Sequence, residues 1–353
     1  MKAFSTTLIF AAVCTLAACG GGGGGGSNES TPVAQTPDTP STPVEPVQTG
    51  STLQTSAPAT TYAQGSAELA AFNYLQNVRT SCGFGAVHQN VKLDQASKAH
   101  ADYLAQGSSA DSVLIGHYET DTSNPFYTGN RSQDRAAAAT YGERVTEILH
   151  ANLETYTAAN LANAPSPSVR GLTSMRSLVN TVAHLSGAMN EGRTVGFGAT
   201  AKNYASNVPG TTFTVVQYRF GALLGSQEGT QLLGAGNVAS YPCAATEDAE
   251  YAFAPATESP NPFPAITDPS VMVGPPIYLR GDPGALLKVD SYSLKNSTGD
   301  TVAVRSDVGE IQGHEFFMVP NNELQPSTVY TVNLKGSANG KAFERSFAFK
   351  TKS

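Results

Sequence analysis

The chain has 353 residues and a formal net charge of −7 at pH 7. Its acidic balance and the lack of any run of Lys and Arg argue against nucleic acid as a partner. The N-terminal apolar run is too short to cross a bilayer as a helix. No second long apolar stretch follows it, which argues against a membrane-spanning body.

Residues 1–18 have the pattern of a secretory signal peptide, since Lys2 precedes a short apolar stretch. The stretch ends in the sequence LAAC, which resembles the lipobox of bacterial lipoproteins and implies that Cys19 becomes the lipidated N-terminus. The alternative is a plain secretory signal in which Cys19 is incidental. By the same resemblance, Gly20 after the cysteine favours anchoring at the outer membrane of the cell envelope, on its periplasmic or its surface side.

Residues 19–64 are predicted to be a disordered tether. Seven glycines, 20–26, form a flexible coil, and the stretch that follows is rich in Pro, Thr, Ser and Gln. Such a composition cannot bury a core, so the tether should hold a folded body, residues 65–353, away from the membrane.

Cys82 and Cys243 are the two cysteines of the folded body. In an exported protein they are predicted to pair, and the alternative is two buried free thiols. The disulfide would close a long loop and tie the segment around Cys243 back to the start of the body.

Helical periodicity opens the folded body. The first predicted helix covers the sequence AELAAFNYLQNVRTS and stops before Gly83. In the second, His100 lies on the same apolar stripe as Leu93 and Leu104, and the helix ends at Gly107. His100 is therefore predicted to be buried.

Next come a loop with His117, a short alanine-rich helix and the strand RVTEILHANL. In that strand Glu147 shares a face with Val145 and Leu149, so its carboxylate should be partly desolvated. The sequence SMRSLVNTVAHLSGAMN predicts one helix with His184 at the border of its buried stripe. Two strands, TVGFGAT and TTFTVVQYRFGALL, follow. Helices followed by late strands predict a layered α+β domain.

The order and spacing of these segments, from about residue 67 to residue 224, resemble the CAP superfamily of cysteine-rich secretory, antigen 5 and pathogenesis-related proteins, in its bacterial form. The matching stretches are FNYLQNVRTSCGFG, LDQASKAHADYLA, GHYET, NRSQDRAAAATYG, VTEIL and VNTVAHLSGAMNEGRTVGFG. The resemblance implies a three-layer α-β-α sandwich over residues 65–225 with a central cleft.

The same resemblance assigns His117, Glu147 and His184 to that cleft, where they are expected to hold Zn²⁺ or another divalent cation. Two imidazoles and a carboxylate suit Zn²⁺ and leave a coordination position for water or a ligand. The second glutamate of animal and plant members falls on Thr181 here, and the usual Asn after the first glutamate is Ile148. Because of these two departures from the family pattern, the sequence leaves two alternatives, a cleft that binds a metal and one that does not.

Four further residues are secondary candidates for the cleft or surface groups. Glu119 is a substitute carboxylate for the cleft or, alternatively, a solvated loop charge. His100 is interpreted as a core histidine beside the cleft rather than as a ligand. His88 and His150 have no partner at ligand spacing and are predicted to lie at the surface.

The C-terminal third changes character. Residues 226–275 are rich in Pro and are predicted to be a connector. Residues 276–353 show period-two alternation, and the stretch LQPSTVYTVNLKGSANGKAFERSFAFKT is similar to the last strands of bacterial Ig-like modules. This similarity implies a small all-β sandwich, which serves as a spacer or, alternatively, binds a ligand of its own.

Three functions fit the sequence. The first is an envelope-anchored binding protein that holds a cation, a lipid or another small or envelope-derived ligand in the cleft. The second is a metal-assisted hydrolase or peptidase with Glu147 as general base. The third is a structural or adhesive surface module. The chain has no G-x-S-x-G or HExxH motif, and a binding protein is preferred to an enzyme.

Overall fold

A computed structural model of the chain describes residues 50–106, 116–208, 211–308 and 312–353. The predicted signal peptide, Cys19, most of the tether and Gly107 lie outside these residues. The α+β class is confirmed, since the described residues form five α-helices and twelve strands in three sheets. The helices are α1 Ala67–Ser81, α2 Val91–Leu104, α3 Ser132–Ala138, α4 Pro167–Leu178 and α5 Val182–Ala188. The strands are β1 His88–Gln89, β2 Val145–Thr157, β3 Thr194–Val208, β4 Thr211–Gly225, β5 Ala239–Tyr241, β6 Ile277–Arg280, β7 Leu287–Lys295, β8 Thr301–Val302, β9 Val304–Arg305, β10 Glu315–Pro320, β11 Val329–Ala338 and β12 Lys341–Lys350.

The first sheet has the order β1-β3-β4-β2, which makes β2 an edge strand. Helix α2 lies directly on β3, because a Cβ atom at Gly196 or Gly198 would come within 2.2 Å of the backbone of this helix. On β4, Leu223 faces α2 and α3, whereas Ala222 and Leu224 face the opposite side. Helices therefore cover both faces of this sheet.

The larger core lies on the face opposite α2. Helices α1 and α4 pack here, and β3 and β4 add their inward side chains. Its members from these elements include Phe72, Leu75, Met175, Phe197 and Phe220. Each of these side chains is at most 5 % exposed, so the face is closed to water and the helices are fixed against the sheet by the hydrophobic effect.

The stretch predicted as one helix is two. Helix α4 begins at Pro167, earlier than predicted, and ends at Leu178; α5 starts only at Val182. Between them, Asn180 donates its side-chain amide to the carbonyl of Ala252, and Thr181 is the N-cap residue of α5. The interruption coincides with the Asn180–Ala252 hydrogen bond, a tertiary contact that helical periodicity does not contain.

Two four-stranded sheets form the C-terminal part, in the orders β5-β6-β10-β9 and β12-β11-β7-β8. The predicted alternation in β11 is present, since Tyr330, Val332 and Leu334 are buried. Asn339 and Gly340 both have positive φ and close the hairpin between β11 and β12, as the Asn-Gly pair favours.

The sheet that contains β6 and β10 is buried on both faces. Ile277, Leu279 and Met318 point towards the second β-sheet. Their strand neighbours Tyr278 and Phe317 point the other way and belong to the larger core. The predicted boundary at residues 275/276 therefore does not correspond to a break in packing.

The predicted tether and connector both contribute to the fold. Residues 50–64 lie against the body. Gln54 donates from its backbone amide to Oε1 of Gln231 and from its side-chain amide to the carbonyl of Ala86, and Leu53 packs on the larger core. In the connector, β5 pairs with β6. Composition gave no sign of either, because the contacts are made to residues far away in the chain.

The Cys82–Cys243 disulfide is confirmed, with a Cα–Cα distance of 5.5 Å. It joins the end of α1 to the residue just after β5, across 161 positions of sequence, and both cysteines are buried. Within the described ranges, no helix has the length and apolar character needed to cross a membrane.

Candidate functional site

His117 and Glu147 meet at the open edge of the first sheet. Nδ1 of His117 lies 2.9 Å from Oε2 of Glu147, which projects from the edge strand β2. Arg135 of α3 donates from Nη2 to the other oxygen, Oε1, at 2.6 Å. The side chain of Glu147 is 4 % exposed, whereas that of His117 is 36 % exposed. A buried carboxylate thus orients a histidine that solvent and ligands can reach.

A second carboxylate stands behind this pair. Oε1 of Glu119 lies 2.9 Å from Nδ1 of His100 and 3.7 Å from Nε of Arg135. All three side chains are at most 1 % exposed. The alternative that Glu119 is a solvated loop charge is therefore wrong. Its sequence neighbours are polar and turn-prone, and only the packing of α2 and α3 over the loop removes it from water.

The charges around Glu147 keep it ionised. Burial alone would raise the pKa of its carboxyl group, but the hydrogen bond from His117 and the positive charges of His100 and Arg135 outweigh burial and hold the pKa below its usual value. As a carboxylate, Glu147 can only accept hydrogen bonds. Nδ1 of His117 must then carry the proton, which leaves Nε2 with its lone pair when the ring is neutral.

Thr181 fixes the same tautomer in His184. Its Oγ1 donates to the carbonyl of Leu178 at 3.2 Å, and the same oxygen lies 2.8 Å from Nδ1 of His184. With the hydroxyl proton assigned to Leu178, and with a carboxylate oxygen of Glu258 3.5 Å from Nδ1 of His184, this nitrogen is assigned as the donor in the second bond. Thr181 therefore orients the histidine.

Glu258 places a carboxylate beside His184. Its oxygens accept hydrogen bonds from the backbone amides of Val182 and Ala183, at 3.0 and 2.6 Å, and Oε1 lies 3.5 Å from Nδ1 of His184. The side chain is fully buried. Sequence reasoning missed it, because an acid within a Pro-rich segment has no periodicity or motif that would mark it.

The two histidines face each other. The rings of His117 and His184 have centroids 6.5 Å apart at an interplanar angle of 30°. Each engages an acceptor through Nδ1, and among the described residues neither Nε2 atom has a hydrogen-bond partner. The sequence-predicted residues His117, Glu147, His184 and Thr181 are thus brought together, with Glu119 and His100 directly behind.

The metal ligands that this arrangement offers are two imidazole nitrogens. In the part of the chain that the structure describes, no group of three or more His, Cys, Asp or Glu side chains could hold a metal ion. Glu147 and Glu258 already accept from Arg135 and from backbone amides, respectively. Metal-bound histidines in proteins commonly donate their other ring N–H to a carboxylate, and both carboxylates stand in that outer position.

His150 differs from its prediction as a surface residue. It is half-buried, and Nδ1 lies 2.9 Å from Oγ of Ser174 beside a cavity of about 140 Å³. Burial, followed by electrostatic contributions from His184 and Arg219, lowers the pKa of its imidazole to about 4. The prediction was made because the sequence shows no partner for His150 at ligand spacing, but α4 packs over this end of β2.

This histidine should make the protein less stable in acid. The unfolded chain takes up a proton near pH 6.5, whereas the folded protein does so only near pH 4, so stability falls as the pH falls between these values. The slope is about 1.4 kcal/mol per pH unit. His150→Gln should flatten urea-unfolding free energies measured from pH 7 to 4.5, and His88→Gln, a half-buried histidine outside this cavity, should not. An unchanged slope in His150→Gln would contradict the assignment.

Neither a protein-family model nor a curated protein matches the chain.

Proposed function

We propose that this protein is an exported lipoprotein of the bacterial cell envelope whose CAP-like cleft binds a small ligand at the His117–His184 pair. One observation carries the proposal. Two facing histidines are each held through Nδ1 by acceptors that are themselves fixed in the fold, so both Nε2 atoms are left for a ligand. A site whose groups are held in place before binding loses little entropy on binding.

A divalent cation is the simplest ligand that fits these donors. Nε2 of His117 and Nε2 of His184 would hold it, with Glu147 and Glu258 as outer carboxylates, and imidazole nitrogens favour Zn²⁺. Two protein ligands leave the remaining positions to water or to oxygen donors of a small or envelope-derived molecule. A bound cation would supply Lewis-acid polarisation of such an oxygen.

The disulfide and the N-terminal sequence support the envelope location. Disulfides persist in oxidising compartments outside the cytoplasm, and the Cys82–Cys243 bridge is buried and links distant segments. The lipobox-like sequence before Cys19 supports anchoring by lipid, and the tether composition supports a body held away from the membrane.

The alternative function, a metal-assisted hydrolase with Glu147 as general base, fits the site less well. A general base works best with a pKa near the working pH. The pKa of Glu147 is lowered instead, and both carboxylate oxygens are engaged, by His117 and Arg135. Binding is therefore the function that the geometry supports better.

Calorimetric titration of Zn²⁺ at pH 7 tests the proposal, with Ca²⁺ and Mg²⁺ as controls for hard cations. We expect saturable Zn²⁺ binding to the wild type and its loss, by about a hundredfold or more, in His117→Ala and in His184→Ala, since each variant removes half of the protein ligands.

The matched control is His88→Ala, because His88 pairs with Glu228 outside the cleft. This variant should bind Zn²⁺ as the wild type does. Folded wild type that takes up no Zn²⁺, or equal loss in all three variants, would overturn the cation proposal and leave the cleft as a site for an organic ligand.

A further inference from the structure

A cavity separate from the histidine pair lies between α5, the segment 260–264 and β10. Its volume is about 480 Å³, within the range of small-molecule sites in proteins. The wall is mostly apolar and is formed by Val182, Ala183, Pro260, Pro262, Pro264 and Phe317. The polar lining includes Ser186 and Glu315.

Glu315 places a carboxylate in this lining. The residue is 8 % exposed. Its Oε1 accepts from the hydroxyl groups of Ser186 and Tyr278, each at 2.6 Å. Oε2 has one long bond, from the backbone amide of Gln312 at 3.3 Å. One oxygen is thus saturated by donors from both sides, and the other retains accepting capacity.

No cation of the described chain forms an ion pair with this carboxylate. Arg280 stands opposite Glu315 in the strand register, but its Nη1 donates to the carbonyl of Met189, its guanidinium lies over the ring of Phe84, and its Nε and Nη2 have no hydrogen-bond partner. Among the described residues Glu315 takes part in no ion pair. A buried charge without a partner is costly, and a cavity beside it offers room for one.

We propose that this cavity binds a cationic amphiphile, a small molecule with an ammonium head group and an apolar tail. The head group donates to Oε2 of Glu315, and the tail lies against the proline wall and Phe317. A charge-assisted hydrogen bond within a mostly apolar site is stronger than one in water. Neither His117 nor His184 lines the cavity, so this site does not depend on the proposed function of the cleft.

Three probes with one tail and different head groups test the proposal on the wild-type protein. Octylammonium, octanol and octanoate are titrated calorimetrically below their micelle-forming concentrations. We expect octylammonium to bind about 10- to 100-fold more tightly than octanol, as for a hydrogen bond to a charged group, and octanoate to bind most weakly.

Two variants locate the binding. Glu315→Gln keeps the size and accepting oxygen but removes the charge, so it should abolish the preference for octylammonium over octanol. Ala183→Leu fills the cavity and should weaken both of these probes. His117→Ala should leave all three affinities unchanged, which separates this site from the cleft. Thermal unfolding of each variant verifies that it is folded.

Two outcomes would overturn the proposal. One is a wild-type protein that binds octylammonium no better than octanol. The other is a folded Glu315→Gln protein that keeps the full preference for the ammonium head group, which would leave Glu315 as a link between α5 and β6 only.

Discussion

Removal of the Cys82–Cys243 disulfide is expected to lower the free energy of unfolding by about 5 kcal/mol. The bridge spans 161 positions, and on the chain-entropy model a loop of this length gives a value of this order. The loss should be seen in urea unfolding of the Cys82→Ser/Cys243→Ser double variant and in wild type treated with a thiol reductant.

Agreement between the variant and the reduced wild type is the internal control, because the variant retains a polar atom at each position but cannot re-form the bridge. Near-identical stability of the oxidised and reduced proteins would contradict the prediction. It would mean that residual structure in the unfolded chain already keeps the segments of α1 and β5 close together without the disulfide.

Arg135→Leu is expected to cost about 3–5 kcal/mol at pH 7, the range for breaking a buried ion pair from one side. Arg135 is fully buried and serves two carboxylates at once, those of Glu147 and Glu119. The variant removes the guanidinium from both carboxylates and leaves only the histidines beside them. Urea unfolding measures the loss, and Arg144→Leu, at an exposed position of the same region, is the matched control.

The cost of Arg135→Leu should shrink as the pH falls. The folded-state pKa of Glu147 is lowered in the wild type, so its contribution to stability is present above the unfolded pKa and is lost as the pH falls through the folded pKa. In the variant the carboxyl group protonates at a higher pH and then needs no cation. A cost that is equal at pH 7 and pH 4 would show that packing, and not charge, is what the arginine contributes.

The sequence predicted those helices and strands that have a clear local pattern of apolar residues. Period-two alternation at Tyr330, Val332 and Leu334 marked β11, and the helical stripe through His100 marked the buried face of α2. The family resemblance named His117, Glu147 and His184, and these three do lie together at one edge of the first sheet.

What the sequence did not predict depends on contacts between distant residues. Glu258 reaches α5 from 75 positions away, and its hydrogen bonds to the backbone coincide with the unpredicted break between α4 and α5. His150 was expected at the surface because the sequence shows no partner for it at ligand spacing. In each case the deciding partner belongs to another segment, which no local pattern reports.

The sheet of β5, β6, β10 and β9 has a consequence for how the molecule unfolds. Tyr278 and Phe317 on one face, with Leu279 and Met318 on the other, place a single sheet in two cores. If either core lost its packing, the apolar side chains on one face of this shared sheet would be exposed to water, and the sheet on which the other core packs would be weakened. The part of the chain around the first sheet and the C-terminal β part should therefore unfold as one cooperative unit, although the sequence predicts two separate domains.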